Sequence, residues 1–570
     1  MKRFRRIAIW LVVGSLLVWW LSGDSEPPVP QDGILVLALE GRYTEAAEPS
    51  LISRVLGSPR PTFVGLLSEM RKAERDDRLA GVVLRVRKID IGWAKAQELR
   101  AAIEALSAAG RKTVAYVEHQ SFAANIEYFV ASAAEEIVLA PAARVPVIGL
   151  AAEYLFLGGF WDLFGIELEV ERIGKYKSFA DTFTRSDMSD AHREMANSLL
   201  DSINGQFVAG IAKSRGLSEE FVREAIDSAA MTPAEMQALG LIDGTGFEDD
   251  AVRRIGLGEV VHGADYAQVS PTSVGFAPVA KFALVYGSGA VVTGKGTVSR
   301  SGAPVFASGT VSRALRDAAA DDEIAGIIFR IDSPGGSALA SDVIWHATQS
   351  SQRNGKPLIV SFSDVAASGG YYVAAGADAI VASPATITGS IGVVVLRPVL
   401  RGLFEKLGIG IATLSRGRHA DIASSANPLS EGSRERLATE VQSIYDLFVE
   451  RVAMGRDLTP ERVHELGRGR VWTGEQAHAS GLVDELGGLR AATRRAKEAA
   501  GLDPDADVAL IPYPKPKPLA EQIAEAMSVA VASAAPGLPL PRLAEHVVEW
   551  LESVPEGAPA LLPPFAFDIR

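Results

Sequence analysis

The chain has 570 residues, 48% of them hydrophobic and 22% charged, a balance that supports packed domains and excludes a mainly disordered chain. Its 57 Lys and Arg stand against 70 Asp and Glu. The net charge of -13 argues against a dedicated nucleic-acid binder, which needs a basic face to displace phosphate counterions. There is no cysteine, so disulfide scaffolds, Cys-ligated zinc, iron–sulfur clusters and thiol nucleophiles are excluded. At roughly 150 residues per domain the length fits about three or four units.

The N-terminus opens with five cationic or aromatic residues, Lys2 to Arg6, followed by an uncharged run from Ile7 to Leu21 and then Gly23, Asp24 and a Pro cluster. No Ala-x-Ala-like site follows the run, and Trp10, Trp19 and Trp20 suit the membrane interface. The reading is an N-terminal transmembrane helix acting as signal anchor, basic end cytoplasmic and body exported, with a cleaved export signal as the alternative.

Further on, the chain is written twice. Asp76–Val86 (DDRLAGVVLRV) reads like Asp321–Ile331 (DDEIAGIIFRI), 245 residues on. Tyr128–Pro141 matches Tyr371–Pro384 at an offset of 243, with half of the positions identical. Thr232–Asp243 matches Thr473–Asp484 at an offset of 241. Three blocks in one order at a nearly constant offset indicate a fused duplication.

In the second copy, strands are expected at Phe282–Tyr286, Gly326–Ile331, Pro357–Ser361 and Ala379–Ala382, and helices at the end of Val305–Ala320, at Ala338–Gln352 and at Tyr371–Ala377. Apolar β-branched runs alternating with amphipathic stretches predict an α/β fold with largely parallel sheets. The organisation is then anchor 1–23, linker 24–33, first repeat 34–273, linker 274–281, second repeat 282–511 and a Pro-rich appendage 512–570 with no assigned activity.

Two glycine-bearing loops follow strands in the second copy: Asp332–Ser337 (DSPGGS) and Ala366–Gly370 (AASGG). A serine at a strand-to-helix turn sits on a tight backbone near unpaired helix N–H groups, and Gly-Gly permits a second backbone donor to approach. A nucleophile beside an anion cradle is the arrangement of acyl transfer. The first copy has Asn125, Ile126 and Glu127 where the second has Ser368, Gly369 and Gly370, and Lys88 to Ile91 in place of the Gly-Gly loop. A requirement of the fold would appear in both copies; this one does not.

A serine hydroxyl needs a base. None of the eight histidines sits in a loop like that of a triad partner, His419 and His346 being nearest in sequence to the site loops. Lys177, in Gly174–Phe179 (GKYKSF) after the apolar strand Leu168–Ile173, is the better candidate, because burial lowers a lysine towards neutrality. Its counterpart in the second copy is Ala420, so each copy retains the half of the site that the other lost. Gly289–Lys295 resembles a phosphate loop but is followed by Gly296, lacks the hydroxyl for Mg²⁺, and reads as strand and turn.

These residues resemble the long, duplicated form of the signal peptide peptidase A family, membrane-anchored bacterial serine proteases with a Ser–Lys dyad. The likeness runs from the basic anchor to about Gly488 and is carried by Ala366–Tyr371 (AASGGY), Tyr176–Ser178 (YKS), Ser333–Ser337 (SPGGS) and Thr388–Gly392 (TGSIG). The resemblance implies Ser368 as nucleophile, Lys177 as general base, Ser390 as the residue orienting the lysine, and the N–H groups of Gly335 and Gly369 as oxyanion hole. It implies two tandem Clp protease/crotonase-like repeats, no metal or other cofactor, apolar remnant signal peptides as substrates, a homotetramer, and a place in the inner membrane with the body periplasmic. The family commonly has Asn where this chain has Asp332, and a carboxylate cannot donate as an amide does. Two rival readings are a crotonase-like CoA thioester enzyme and a non-catalytic membrane-tethered scaffold. The scaffold predicts Ser368 and Lys177 far apart; a protease needs them in hydrogen-bond reach.

Overall fold

The computed structural model describes residues 27–45, 62–299, 303–515 and 560–561; the expected anchor, 1–23, lies outside them. Among the described residues no helix is long and apolar enough to cross a membrane. The first seven strands are β1 (Gly33–Arg42), β2 (Leu79–Asp90), β3 (Lys112–Val117), β4 (Glu136–Leu139), β5 (Glu167–Ile173), β6 (Gly244–Thr245) and β7 (Val260–His262). Six of them make one parallel sheet in the order β6-β4-β3-β2-β1-β7, and β5 stands apart from it.

The second half contributes β8 (Ala280–Ser288), β9 (Ala290–Val292), β10 (Val305–Ala307), β11 (Ile324–Ser333), β12 (Gly336–Ser337), β13 (Leu358–Ala367) and β14 (Ala379–Ala382). It continues with β15 (Ile387–Gly389), β16 (Val393–Val399), β17 (Val471–Thr473), β18 (Glu485–Leu486), β19 (Val508–Tyr513) and β20 (Ala560–Leu561). Its parallel pairs run β18-β14-β13-β11-β8-β19, the same path as β6-β4-β3-β2-β1-β7. The central strands are apolar runs because both faces are covered: Val82, Val83 and Leu84 in β2 and Ile327, Ile328 and Phe329 in β11 are all fully buried. Each such side chain contributes about 1.5–3 kcal/mol on burial.

The repeated sequence blocks make repeated contacts. Tyr128 donates its hydroxyl to Leu241 O and Tyr371 to Leu482 O, both at 2.8 Å. The Ile137 and Ile380 N–H groups donate to Asp243 and Asp484. A buried phenol needs an acceptor, which accounts for the pairing of these distant blocks in each copy.

A third sheet, in the order β10-β9-β12-β20-β16-β5, joins the halves: β5 pairs antiparallel with β16 over seven residues, from Ile173 with Val393 to Glu167 with Val399. Three expected boundaries shift. β1 begins at Gly33 and β8 at Ala280, each within an expected linker, and β19 carries Pro512 and Tyr513 into the stretch read as appendage. The prolines there suggest a break, but β19 is an edge strand and an edge tolerates a residue without an N–H. The helix expected at Tyr371–Ala377 spans Gly369–Ala374 instead.

Candidate active site

β13 delivers the chain to Ala367, and Ser368 turns it into the helix Gly369–Ala374 with φ 55° and ψ -116°. Such a conformation costs a non-glycine residue about 1–3 kcal/mol and persists only where the surroundings fix it. The Ser368 N–H donates to Gly389 O at 2.8 Å, and the two following glycines allow the turn to sit against the DSPGGS loop. A Cβ on Gly369 would lie 2.6 Å from Ser341 Oγ and 3.1 Å from Gly336 N; one on Gly370 would lie 2.8 Å from Ser333 O. Gly369 opens its helix, so helix geometry gives its N–H no acceptor.

Lys177 reaches this serine from the first half. β5, held by β16, ends in a turn at Gly174, where Tyr176 N donates to Arg468 O at 2.9 Å. The fit leaves no room for side chains: a Cβ on Gly469 would lie 2.5 Å from Lys177 N. Lys177 is fully buried, with Nζ 2.7 Å from Ser368 Oγ and 3.0 Å from both Ser390 Oγ and Ser390 O. Burial pushes the amine well below the ordinary lysine value. Ser390 is also at positive φ, 55°, with its N–H bonded to Arg470 O at 2.7 Å.

Of the two expected oxyanion donors, the structure places Gly335 (φ 102°) on the loop that packs against Gly369. Its N–H donates to Ser333 Oγ at 3.1 Å, and that hydroxyl donates in turn to Gly289 O. His419 contacts Ser433 at 3.2 Å and His346 is exposed; neither is hydrogen-bonded to Ser368. Ala290–Val292 of the phosphate-loop look-alike is the strand β9.

In the first copy the corresponding places are filled by structural bonds. Asn125 donates to Gly149 O at 2.8 Å and accepts from Ile148 N, and Glu127 accepts the Ile89 N–H at 3.0 Å. Glu127 thus ties the first copy's helix to the end of β2, where the second copy has Gly370 and no side chain.

Asp332 is met by a lysine that no pattern in the sequence singles out. Lys95 Nζ lies 2.6 Å from Asp332, 3.1 Å from Asp364 and 3.2 Å from Glu45. Beside them Arg330, fully buried, binds Glu45 and Glu98. Lys95 belongs to no motif; a single aspartate leading into each of the two glycine loops, Asp332 and Asp364, was the one available hint.

The sequence model of Peptidase family S49 matches residues 105–261 and 350–503. "Serine protease SPPA, chloroplastic" of Arabidopsis thaliana is 33% identical over 499 residues, covering 86% of this chain and 72% of that one. "Protease 4" of Haemophilus influenzae is 28% identical over 523 residues, covering 86% and 82%. A chain of Enterococcus faecium named as a candidate signal peptide peptidase is 38% identical over 173 residues, 30% of this chain and half of that one. The fold and these likenesses define a serine protease. The chain belongs to peptidase family S49.

Proposed function

We propose that the protease works through a Ser368–Lys177 dyad, degrading apolar peptides of the signal-peptide kind. The observation that carries this reading is the buried 2.7 Å contact between Lys177 Nζ and Ser368 Oγ, with Ser390 as the amine's other partner. A neutral amine has two N–H groups and one lone pair. Ser390 Oγ and O accept the two, and the lone pair faces the Ser368 hydroxyl.

In the mechanism, Lys177 takes the Ser368 proton as Oγ bonds to the peptide carbonyl carbon. The oxyanion is met by the Gly369 N–H and by the Gly335 loop, whose N–H is released from Ser333 Oγ as the carbonyl oxygen arrives. The Lys177 ammonium then protonates the leaving amine as the C–N bond breaks. Water attacks the acyl-enzyme, giving its proton to Lys177, and the proton returns to Ser368 as the ester opens. The scaffold reading loses support, since its two residues would stand apart, and the thioester reading has no use for the pair.

The peptide would run as an added strand between β12 and β16. β20 supports this: it pairs antiparallel with both, Gly336 with Leu561, Ser337 with Ala560, and Val394 with Ala560. The Enterococcus faecium relative's name supports the signal-peptide class. We read 34–273 and 282–511 as Clp protease/crotonase-like repeats, supported by their shared strand order, with 1–23 as the inner-membrane anchor, a periplasmic body and a homotetrameric assembly. Hydrolysis of an apolar fluorogenic peptide tests the dyad: folded Ser368→Ala and Lys177→Ala chains should each lose essentially all activity. Full activity in Lys177→Ala would place the base elsewhere.

A further inference from the structure

Just before Ser368, the β11–β13 ladder is broken. Ile331 pairs with Phe362, but Ser333 pairs with Ala366, so one residue of β11, Asp332, stands opposite the three-residue bulge Ser363–Asp364–Val365. Bulges bend and re-aim a strand, and this one lies between the end of the regular ladder and the nucleophile. Every member of the bulge is held by a side chain. Val365 N donates to Asp332 Oδ1 at 3.2 Å, Ser363 donates to Glu45, and Asp364 accepts the N–H groups of Gly92 and Lys95 at 3.0 and 2.9 Å.

The last of these contacts belongs to the first repeat. The helix Trp93–Ala108 has Gly92 at its N-cap and no side chain of its own to cap it; Asp364, 272 residues away from Gly92, takes that place. The same helix sends Lys95, buried, between the two carboxylates: Nζ is 2.6 Å from Asp332 and 3.1 Å from Asp364. Burial opposes its charge, but Asp332, Asp364 and Glu45 hold the ammonium well above the ordinary value. Asp332 precedes the Gly335 turn by three residues, and Asp364 precedes Ser368 by four. Lys95 therefore ties the two strand ends that carry the proposed oxyanion donor and the proposed nucleophile.

We infer that Lys95 is a positioning residue for the reaction: by bridging Asp332 and Asp364 it sets the bulge, and with it the spacing between Ser368 and the Gly335 turn. The inference rests on the Ser368 reading of the site. Without the ammonium, Asp332, Asp364 and Glu45 repel one another, and the bulge opens at the point where the oxyanion donors must meet the carbonyl. A misplacement of this kind weakens contacts made in the transition state more than those of the bound ground state.

The test is peptide hydrolysis by the full chain carrying Lys95→Met, Asp332→Asn, or both, with unfolding midpoints measured alongside. Lys95→Met should lower kcat by about 10–100-fold with KM within about twofold, less than the roughly 100–1,000-fold cost of removing an oxyanion donor outright. Asn at 332 keeps an acceptor for Val365 N and removes one charge, so Lys95→Met/Asp332→Asn should recover most of the lost kcat. Native kcat in Lys95→Met overturns the proposal. So does a double variant whose midpoint recovers while its kcat does not, since Lys95 would then matter to folding alone. Full activity of Ser368→Ala in the same assay would sink the dyad reading instead, so the two failures are distinguishable.

Discussion

Lys177 and Ser368, 191 residues apart in the chain, meet at 2.7 Å in a site buried on both sides. One lies on the turn that follows the strand β5 of the first half, and the other directly follows β13 in the second. Neither half holds both groups, and the contact depends on the antiparallel pairing of β5 with β16.

Burial keeps the Lys177 amine well below its ordinary value, which fixes the sign of two pH effects. Only the neutral amine can accept the Ser368 proton, so kcat/KM should rise with pH through one ionisation well under the usual lysine value of about 10.4. Between that ionisation and about 10.4 the unfolded chain binds more protons than the folded one, so stability should also rise with pH over this window. Lys177→Met removes the linkage, and its midpoint should exceed the native one by a margin that grows as the pH falls. A margin independent of pH would refute the burial argument.

Ser390→Ala removes the hydroxyl at 3.0 Å from Lys177 and leaves the carbonyl in place. Loss of one hydrogen bond of about 0.5–1.5 kcal/mol should reduce kcat by roughly 3–10-fold and leave KM nearly unchanged. Steady-state kinetics on the fluorogenic peptide reads both constants; a KM effect alone would place Ser390 in substrate binding.

Gly370→Ala should be costly, because its Cβ would stand 2.8 Å from the backbone oxygen of Ser333, which cannot swing aside. Overpacking of this kind costs about 1–3 kcal/mol. Urea unfolding should show a lower midpoint, and kcat should fall further than stability does because the displaced loop carries Gly335. A native midpoint would show that the loop yields.

In the first copy the expected outcome is the reverse. Asn125→Ala removes a buried side chain that binds Gly149 O and Ile148 N. Stability should drop by about 1–3 kcal/mol with kcat/KM unchanged. A selective loss of activity would mean that Asn125 itself takes part in the reaction.

β20 lies between β12 and β16, on the path proposed for an extended substrate. A chain ending at residue 515 should therefore show a lower KM for peptides at similar kcat. A higher KM would mean that residues 560–561 help to build the binding edge.

Much of the second-copy sheet is legible in sequence: Ala379–Ala382 has the expected bounds because a parallel strand covered on both faces reads as an apolar run. Ser368 and Lys177 become legible only by comparing the copies, since each is a common residue in a common loop. Other features depend on contacts across hundreds of residues. Lys95 sits on a helix without a motif and meets Asp332 from 237 residues away. The partner of β5 is equally hidden, because an isolated strand does not encode which edge it joins. The Ser333 hydroxyl that occupies the Gly335 N–H is local, yet its rotamer is set only once Gly289 packs beside it.

The pairing of β5 with β16 also bears on concentration. Where a base and a nucleophile belong to separate molecules, the fraction of complete sites falls on dilution. Here a single covalent chain carries both of the proposed groups, and the seven-residue ladder holds them at an effective molarity that no dilution changes. Specific activity from this contact is then the same for a few copies per cell as for a concentrated solution.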